Sequence, residues 1–222
     1  MKTVTIAGAT GVVGSRALTH LLERSDVETV VAIGRRILPL EDKKLVSKVV
    51  DFQDIDSIAA SLPDKVDIAL CTLGTTIKKA GSKEAFRAVD YDAVLHFAQA
   101  ALQKDCPHFV IVTAIGSDPN ALAFYSKVKG EVEEALMGLG FERLTILRPS
   151  IIDDEGERPE NRIGEQIGLV LSRAIFSVVG KTRKYAPVKA DTIARALLNL
   201  AFDDIQEPVR IIESDELHSL GT

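Results

Sequence analysis

What this chain has little of sets the first limits on it. There are only two cysteines, Cys71 and Cys106, each in or beside a strand-like segment. They are too few for a disulfide framework and stand in no zinc pattern with a histidine, so they read as reduced packing residues. The four histidines show no metal-ligand spacing: His20, His96 and His108 fall in core-forming segments or at a strand start, and His218 lies in the tail. No metal site is expected. Aromatic residues make up 5% and the net charge is −5, so the basic, aromatic-interleaved surface needed by nucleic acid or an anionic membrane is missing. No apolar run is long enough to span a bilayer. The first residues enter a strand at once, which leaves no room for a signal or transit peptide. By exclusion, the expected compartment is the cytoplasm. There is no GxSxG elbow, no Walker lysine, no repeat, no low-complexity run and no clear linker.

What is present is an alternation. The 222 residues, 46% hydrophobic and 27% charged, suit a single globular domain over 1–222. Strand-like apolar segments at 4–7, 29–33, 46–50, 66–71, 109–113, 144–147 and 209–212 are separated by helical patterns. Those patterns run over 12–23, 55–61, 82–103, 122–138, 165–179 and 192–202. Short, continuously apolar strands between helices predict an α/β fold of three layers, with a parallel sheet covered on both faces. Connection rules favour a doubly wound sheet of order 3-2-1-4-5-6, the segment 209–212 adding a seventh strand at the edge. The polar stretch 152–161 reads as a loop over the site, and the region 150–190 as a small lobe on the substrate side. The helices at 82–103 and 122–138 either cover the sheet or form a face of a homo-oligomer.

The first strand runs into Gly8-Ala9-Thr10-Gly11-Val12-Val13-Gly14, and apolar residues then recur at Val13, Ala17, Leu18, Leu21 and Leu22. Strand, glycine turn and helix are the context of a dinucleotide-binding fingerprint, whose pyrophosphate approaches the bare backbone at the helix N-terminus. After the second strand an NAD-binding chain places an acid on the ribose hydroxyl; here stand Arg35 and Arg36. A guanidinium fork holds a 2′-phosphate that a carboxylate would repel, so NADP(H) is preferred to NAD(H). The other reading is a solvated surface arginine, above all for Arg36. The third strand ends at Asp51 and Phe52, where the acid either accepts from the adenine amino group or serves as a turn residue. The fourth ends at Thr72-Leu73-Gly74, small enough for the backbone to pass close to cofactor ribose and phosphates. Lys78, Lys79, Lys83 and Arg87 follow, either attracting an anionic substrate or simply solvated.

Tyr125 and Lys129 lie four apart on a helical segment and so share one face. A tyrosine of pKa about 10 needs help to act as acid or base at neutral pH, and a lysine cation beside it favours the phenolate and can hold ribose hydroxyls. Thr113, at the adjacent strand end, offers a hydroxyl to polarise a substrate carbonyl. Tyr185 and Lys189 have the same spacing, but Pro187 between them breaks a helix.

Together these residues resemble the atypical short-chain dehydrogenases/reductases, and among them the Tat-interacting protein family of NADPH-binding, oxidoreductase-like proteins. The resemblance runs through GATGVVG (8–14), IGRR (33–36), VVDFQD (49–54), CTLGTT (71–76), KAGS (79–82), HFVIVTAIGSD (108–118), YSKVKGEVE (125–133), LRPSII (147–152), APV (186–188) and HSLG (218–221). It implies NADPH in a Rossmann-type fold, Tyr125 and Lys129 as the catalytic pair, and Arg35 on the 2′-phosphate. It also implies that the backbone of Pro149, Ser150 and Ile151 faces the nicotinamide. Relatives commonly carry serine after the fifth strand, where this chain has Thr113-Ala114. The expected function is NADPH-dependent reduction of a small carbonyl compound. The rival is a non-catalytic module that changes partners with its bound dinucleotide; a third reading, a ring or double-bond reductase or isomerase, would use Tyr125 for orientation.

Overall fold

The computed structural model describes residues 1–154 and 183–222. The helical pattern at 165–179, and most of the 150–190 lobe with its 152–161 loop, lie outside the described residues. β1 (Lys2–Ala7) shows why both faces of the sheet are covered. Its side chains alternate: Val4 and Ile6 join a core beneath α1 (Val12–Glu23) and α7 (Ala190–Ala201). Ala7 joins a second core beneath α2 (Ile55–Ser61) and α5 (Ala93–Leu102). Two apolar faces on a central strand demand two helical layers.

The remaining main strands are β2 (Val27–Gly34), β3 (Leu45–Val49), β4 (Ile68–Cys71), β5 (His108–Val112), β6 (Arg143–Arg148) and β9 (Val209–Glu213). With β1 they form a parallel sheet of order β3-β2-β1-β4-β5-β6-β9. The doubly wound order and the seventh edge strand are thus as expected. A separate parallel pair joins β7 (Ile152–Asp153) to β8 (Val188–Lys189), and so ties the chain on either side of the undescribed segment. Among the described residues no helix is long and apolar enough to cross a membrane.

The expected helix at 82–103 is broken. α4 (Lys83–Arg87) passes into a π turn at Ala88–Asp92 before α5 resumes. That wider turn carries Asp90 inward, where it is fully buried; such bulges often accompany functional sites. Two short helices lacked enough turns to show a period. α3 (Ile77–Ala80) is capped by Thr76 and ended by Gly81 at φ +89, and α8 (Ser214–Leu220) begins in a capping box of Glu213 and Glu216. α6 (Phe124–Met137) starts two residues later than the pattern suggested.

Candidate active site

At the carboxyl end of β1 the chain turns through Gly8, whose φ of +91 favours glycine. A Cβ there would meet the Thr72 carbonyl carbon at 2.5 Å, and one on Gly14 would meet the Gly8 oxygen at 2.2 Å. The end of β4 therefore lies directly against the turn, held by Thr72 Oγ1 donating to the Ala7 carbonyl at 3.0 Å. Gly11 caps α1, and the first helical bond runs from the Ser15 amide to the Gly11 carbonyl at 3.0 Å. The amides of Val12, Val13 and Gly14 thus precede the helical ladder, and no acid stands in that first turn.

A cleft of about 690 Å³ opens over this corner. Its walls bring together Gly8, Thr10, Gly11, Arg35, Arg36, Asp51, Phe52, Thr72, Leu73 and Gly74, from the ends of four different strands. Arg35 and Arg36 are exposed, and neither makes an ion pair among the described residues. Asp51 Oδ1 accepts from the Gln53 amide at 2.9 Å, the contact of a turn residue, although the side chain remains exposed. Phe52 is half-buried, and its carbonyl lies 2.8 Å from His96 Nδ1. Lys79 reaches the cleft wall as well, while Lys78 does not line it.

Lys129 lies beside Gly74 of the cleft wall, but neither it nor Tyr125 lines the cleft itself. Its Nζ is 2.8 Å from Asp90 Oδ1, and both side chains are almost wholly buried. Asp90 Oδ2 accepts from the Thr75 amide at 2.9 Å, and a Cβ on Gly74 would sit in ordinary contact with Asp90 Oδ1 at 3.5 Å and Lys129 Nζ at 3.7 Å. Burial pulls the ammonium pKa down, but Asp90 and Tyr125 outweigh it and hold Lys129 above its ordinary value. Tyr125, one turn earlier on α6, is half-buried with its ring 5.5 Å from that of Phe86. Burial raises its phenol, Lys129 opposes this, and Asp90 adds to it; the result is a phenol above its ordinary pKa. Asp90 escaped the sequence reading, because one acid in a helical pattern carries no signal until the π turn aims it inward.

Thr113 is engaged by protein groups. Its hydroxyl donates to Glu133 Oε1 at 2.5 Å, with the Leu147 carbonyl at 3.3 Å. Glu133 is buried two turns beyond Tyr125 on α6 and takes Arg148 as well, at 2.5 Å from Nη2. A hydroxyl has one proton to give, and in this structure a buried carboxylate takes it. The stretch from Pro149 to Ile151 is tied down by its own bonds. The Pro149 carbonyl accepts from Ile115, the Ile151 carbonyl accepts from Val188, and the Ser150 amide donates to Ser214 Oγ. Those three residues do not line the cleft, nor do Val12, Val13 and Gly14. His108 is neutral structure: Arg143 Nη2 donates to its Nδ1 at 2.9 Å, and burial pushes its pKa down to about 4.

Comparison with known proteins agrees with this geometry. A family model described as NAD(P)H-binding matches residues 8–203. Protein FMP52, mitochondrial, of Eremothecium gossypii is 35% identical over 97% of this chain and 95% of its own length. Protein HTATIP2 of Rattus norvegicus is 34% identical over 99% of this chain and 89% of its own. Among solved structures, MoeE5 in complex with UDP-glucose and NAD superposes with a TM-score of 0.71 at 17% identity, covering 99% of this chain and 80% of that one. This last likeness concerns the fold. The cytoplasm expected by exclusion is corrected by the same comparison, since the FMP52 relatives are named as mitochondrial proteins; lack of a membrane span does not fix a compartment. The chain belongs to the NAD(P)H-binding family, as an oxidoreductase-like atypical short-chain dehydrogenase/reductase related to FMP52 and HTATIP2.

Proposed function

We propose that this protein is an NADPH-dependent reductase of a small carbonyl compound. The observation that carries the reading is the Lys129 ammonium, buried beside Gly74 of the cleft wall with Tyr125 one helical turn away. The cleft suits a dinucleotide. Methyl groups at Gly8 or Gly14 would push the turn away from Thr72, and the start of α1 offers amides without a competing acid. Arg35, with Arg36 beside it, suits a 2′-phosphate, which favours NADPH over NADH. Asp51 and Phe52 would flank the adenine, while Thr10, Thr72 and Leu73 would line the path of ribose and phosphates. The backbone from Pro149 to Ile151 would bound the nicotinamide side, and a lobe over 150–190 of the same single domain would shape the substrate pocket.

Bound NADPH supplies the hydride that reduces the carbonyl carbon. Tyr125 gives its phenolic proton to the carbonyl oxygen and takes one back from solvent. Lys129 holds the nicotinamide ribose and sets the charge next to Tyr125. One observation favours the non-catalytic alternative: Thr113 spends its hydroxyl on Glu133, so no hydroxyl from that strand end steadies the carbonyl. A panel of small carbonyl compounds, followed by loss of nicotinamide absorbance, tests the two readings. The reductase consumes NADPH with at least one compound, and Tyr125→Phe abolishes turnover while still binding NADPH. Full activity in Tyr125→Phe removes the assignment. Tight NADPH binding with no consumption across the panel moves the reading to a dinucleotide-responsive module.

A further inference from the structure

Resting on the dinucleotide reading above, in which Asp51 and Phe52 flank the adenine, we propose that His96 is the positioning residue for that end of the cleft. Its imidazole, carried by α5, grips the Phe52 carbonyl and so fixes the wall on which the base would lie. Asp51, Phe52 and Gln53 all line the cleft, yet the turn they form is closed almost entirely on itself. The Gln53 amide donates to Asp51 Oδ1 at 2.9 Å, and the Asp54 amide to the Asp51 carbonyl at 3.2 Å. The Asp51 amide reaches Ser57 Oγ at 3.4 Å, and Asp54 caps α2 by accepting from the Asp56 and Ser57 amides. Such bonds shape a turn without fixing where it stands against the rest of the cleft.

Among the described residues, one hydrogen bond ties residues 51–54 to an element beyond α2: His96 Nδ1 lies 2.8 Å from the Phe52 carbonyl oxygen. A carbonyl only accepts, which assigns the ring hydrogen to Nδ1. The peptide unit between Phe52 and Gln53 is therefore held at both ends. His96 takes its carbonyl, and its N–H holds the Asp51 carboxylate. Because that unit is planar, fixing the carbonyl also aims the N–H and the acid it orients. The far end of the tie is firm. Val94, Phe97 and Ala98 of α5 are buried in the second core, and α2 packs against the same helix. Ala93, three residues before His96, lines the cleft, whereas His96 does not. It acts on a ligand only through Phe52 and Asp51.

Calorimetric titration of the whole protein with NADPH, and with adenosine 2′,5′-bisphosphate as the adenine half alone, tests this. His96→Ala is expected to weaken both by about three- to tenfold, the range of one lost hydrogen bond, with circular dichroism unchanged. His96→Asn puts an amide N–H where Nδ1 stands, and is expected to bind both within about twofold of wild type. His96→Gln carries its amide to the Nε2 position and is expected to bind as weakly as the alanine variant. A helix disturbed merely by a changed side chain would not tell Asn from Gln. Unchanged NADPH affinity in His96→Ala overturns the proposal, as does a loss that the adenine half does not share or cannot show for want of binding. Equal affinities of the Asn and Gln variants overturn it too, and decide the matter where His96→Ala does not fold. A wild-type protein that binds neither ligand removes the dinucleotide reading and this proposal together; the other failures leave that reading standing.

Discussion

Gly14 and His108 show how single residues divide between site and scaffold. A methyl group at Gly14 would stand 2.2 Å from the Gly8 carbonyl oxygen and 2.5 Å from Thr72 Oγ1. Backbone, not a flexible side chain, is in the way. Gly14→Ala is therefore expected to cost about 1–3 kcal/mol, the range of an overpacked core, and to weaken NADPH binding by spreading the turn; urea denaturation and cofactor titration measure the two effects. His108 has no part in the chemistry. Its imidazole is 1% exposed, beside the Arg143 guanidinium, and its pKa is pushed down to about 4 by burial and then by that cation. The unfolded chain takes up a proton near pH 6.5 that the folded chain refuses. This contribution is complete above about pH 6.5 and is lost as the pH falls toward 4, by roughly 3 kcal/mol in total. Denaturation between those limits should show a steeper loss in wild type than in His108→Gln, and equal slopes would remove His108 as the cause.

At the scale of elements, α6 is the part that joins structure to chemistry. Tyr125, Lys129 and Glu133 recur every fourth residue and so lie along one face. Lys129 lies beside Gly74 of the cleft wall, and Glu133 anchors the helix to the sheet. Glu133 takes Thr113 from the end of β5 and Arg148 from the end of β6, and Arg148 continues to Glu213 at 3.2 Å. Removing one partner from a buried ion pair leaves the other uncompensated, at a cost of about 3–5 kcal/mol. Arg148 keeps Glu213, so the lower end applies: Glu133→Ala is expected to destabilise the fold by about 3 kcal/mol in denaturant. A loss within experimental error would mean the network is solvated in solution. The Tyr125–Lys129 spacing was visible in the sequence, and so was the contrast with Tyr185, where Pro187 forbids the helix. The bond from Thr113 to Glu133 was not legible, because a strand-end hydroxyl looks the same on paper whether it faces a substrate or a buried carboxylate.

At the scale of the whole molecule, four strand ends converge on one cleft, and a ligand filling it binds the folded chain alone. If NADPH is that ligand, a hundredfold excess over its Kd is expected to add about 2.7 kcal/mol to apparent stability. Its thermal stabilisation should exceed that of NADH at equal concentration, and Arg35→Ala should close the gap. Equal losses for both cofactors would remove the 2′-phosphate role. The sequence by itself determined the order of elements and the parallel sheet, because apolar period and connection handedness are local or topological rules. It also marked the glycine turn, Arg35 and the Tyr125–Lys129 face. Only the tertiary structure decided what each charge meets: Asp90 on Lys129, Glu133 on Thr113 and Arg148. Such pairs join residues far apart in the chain, and a buried charge acquires its effect from the partner that folding brings to it.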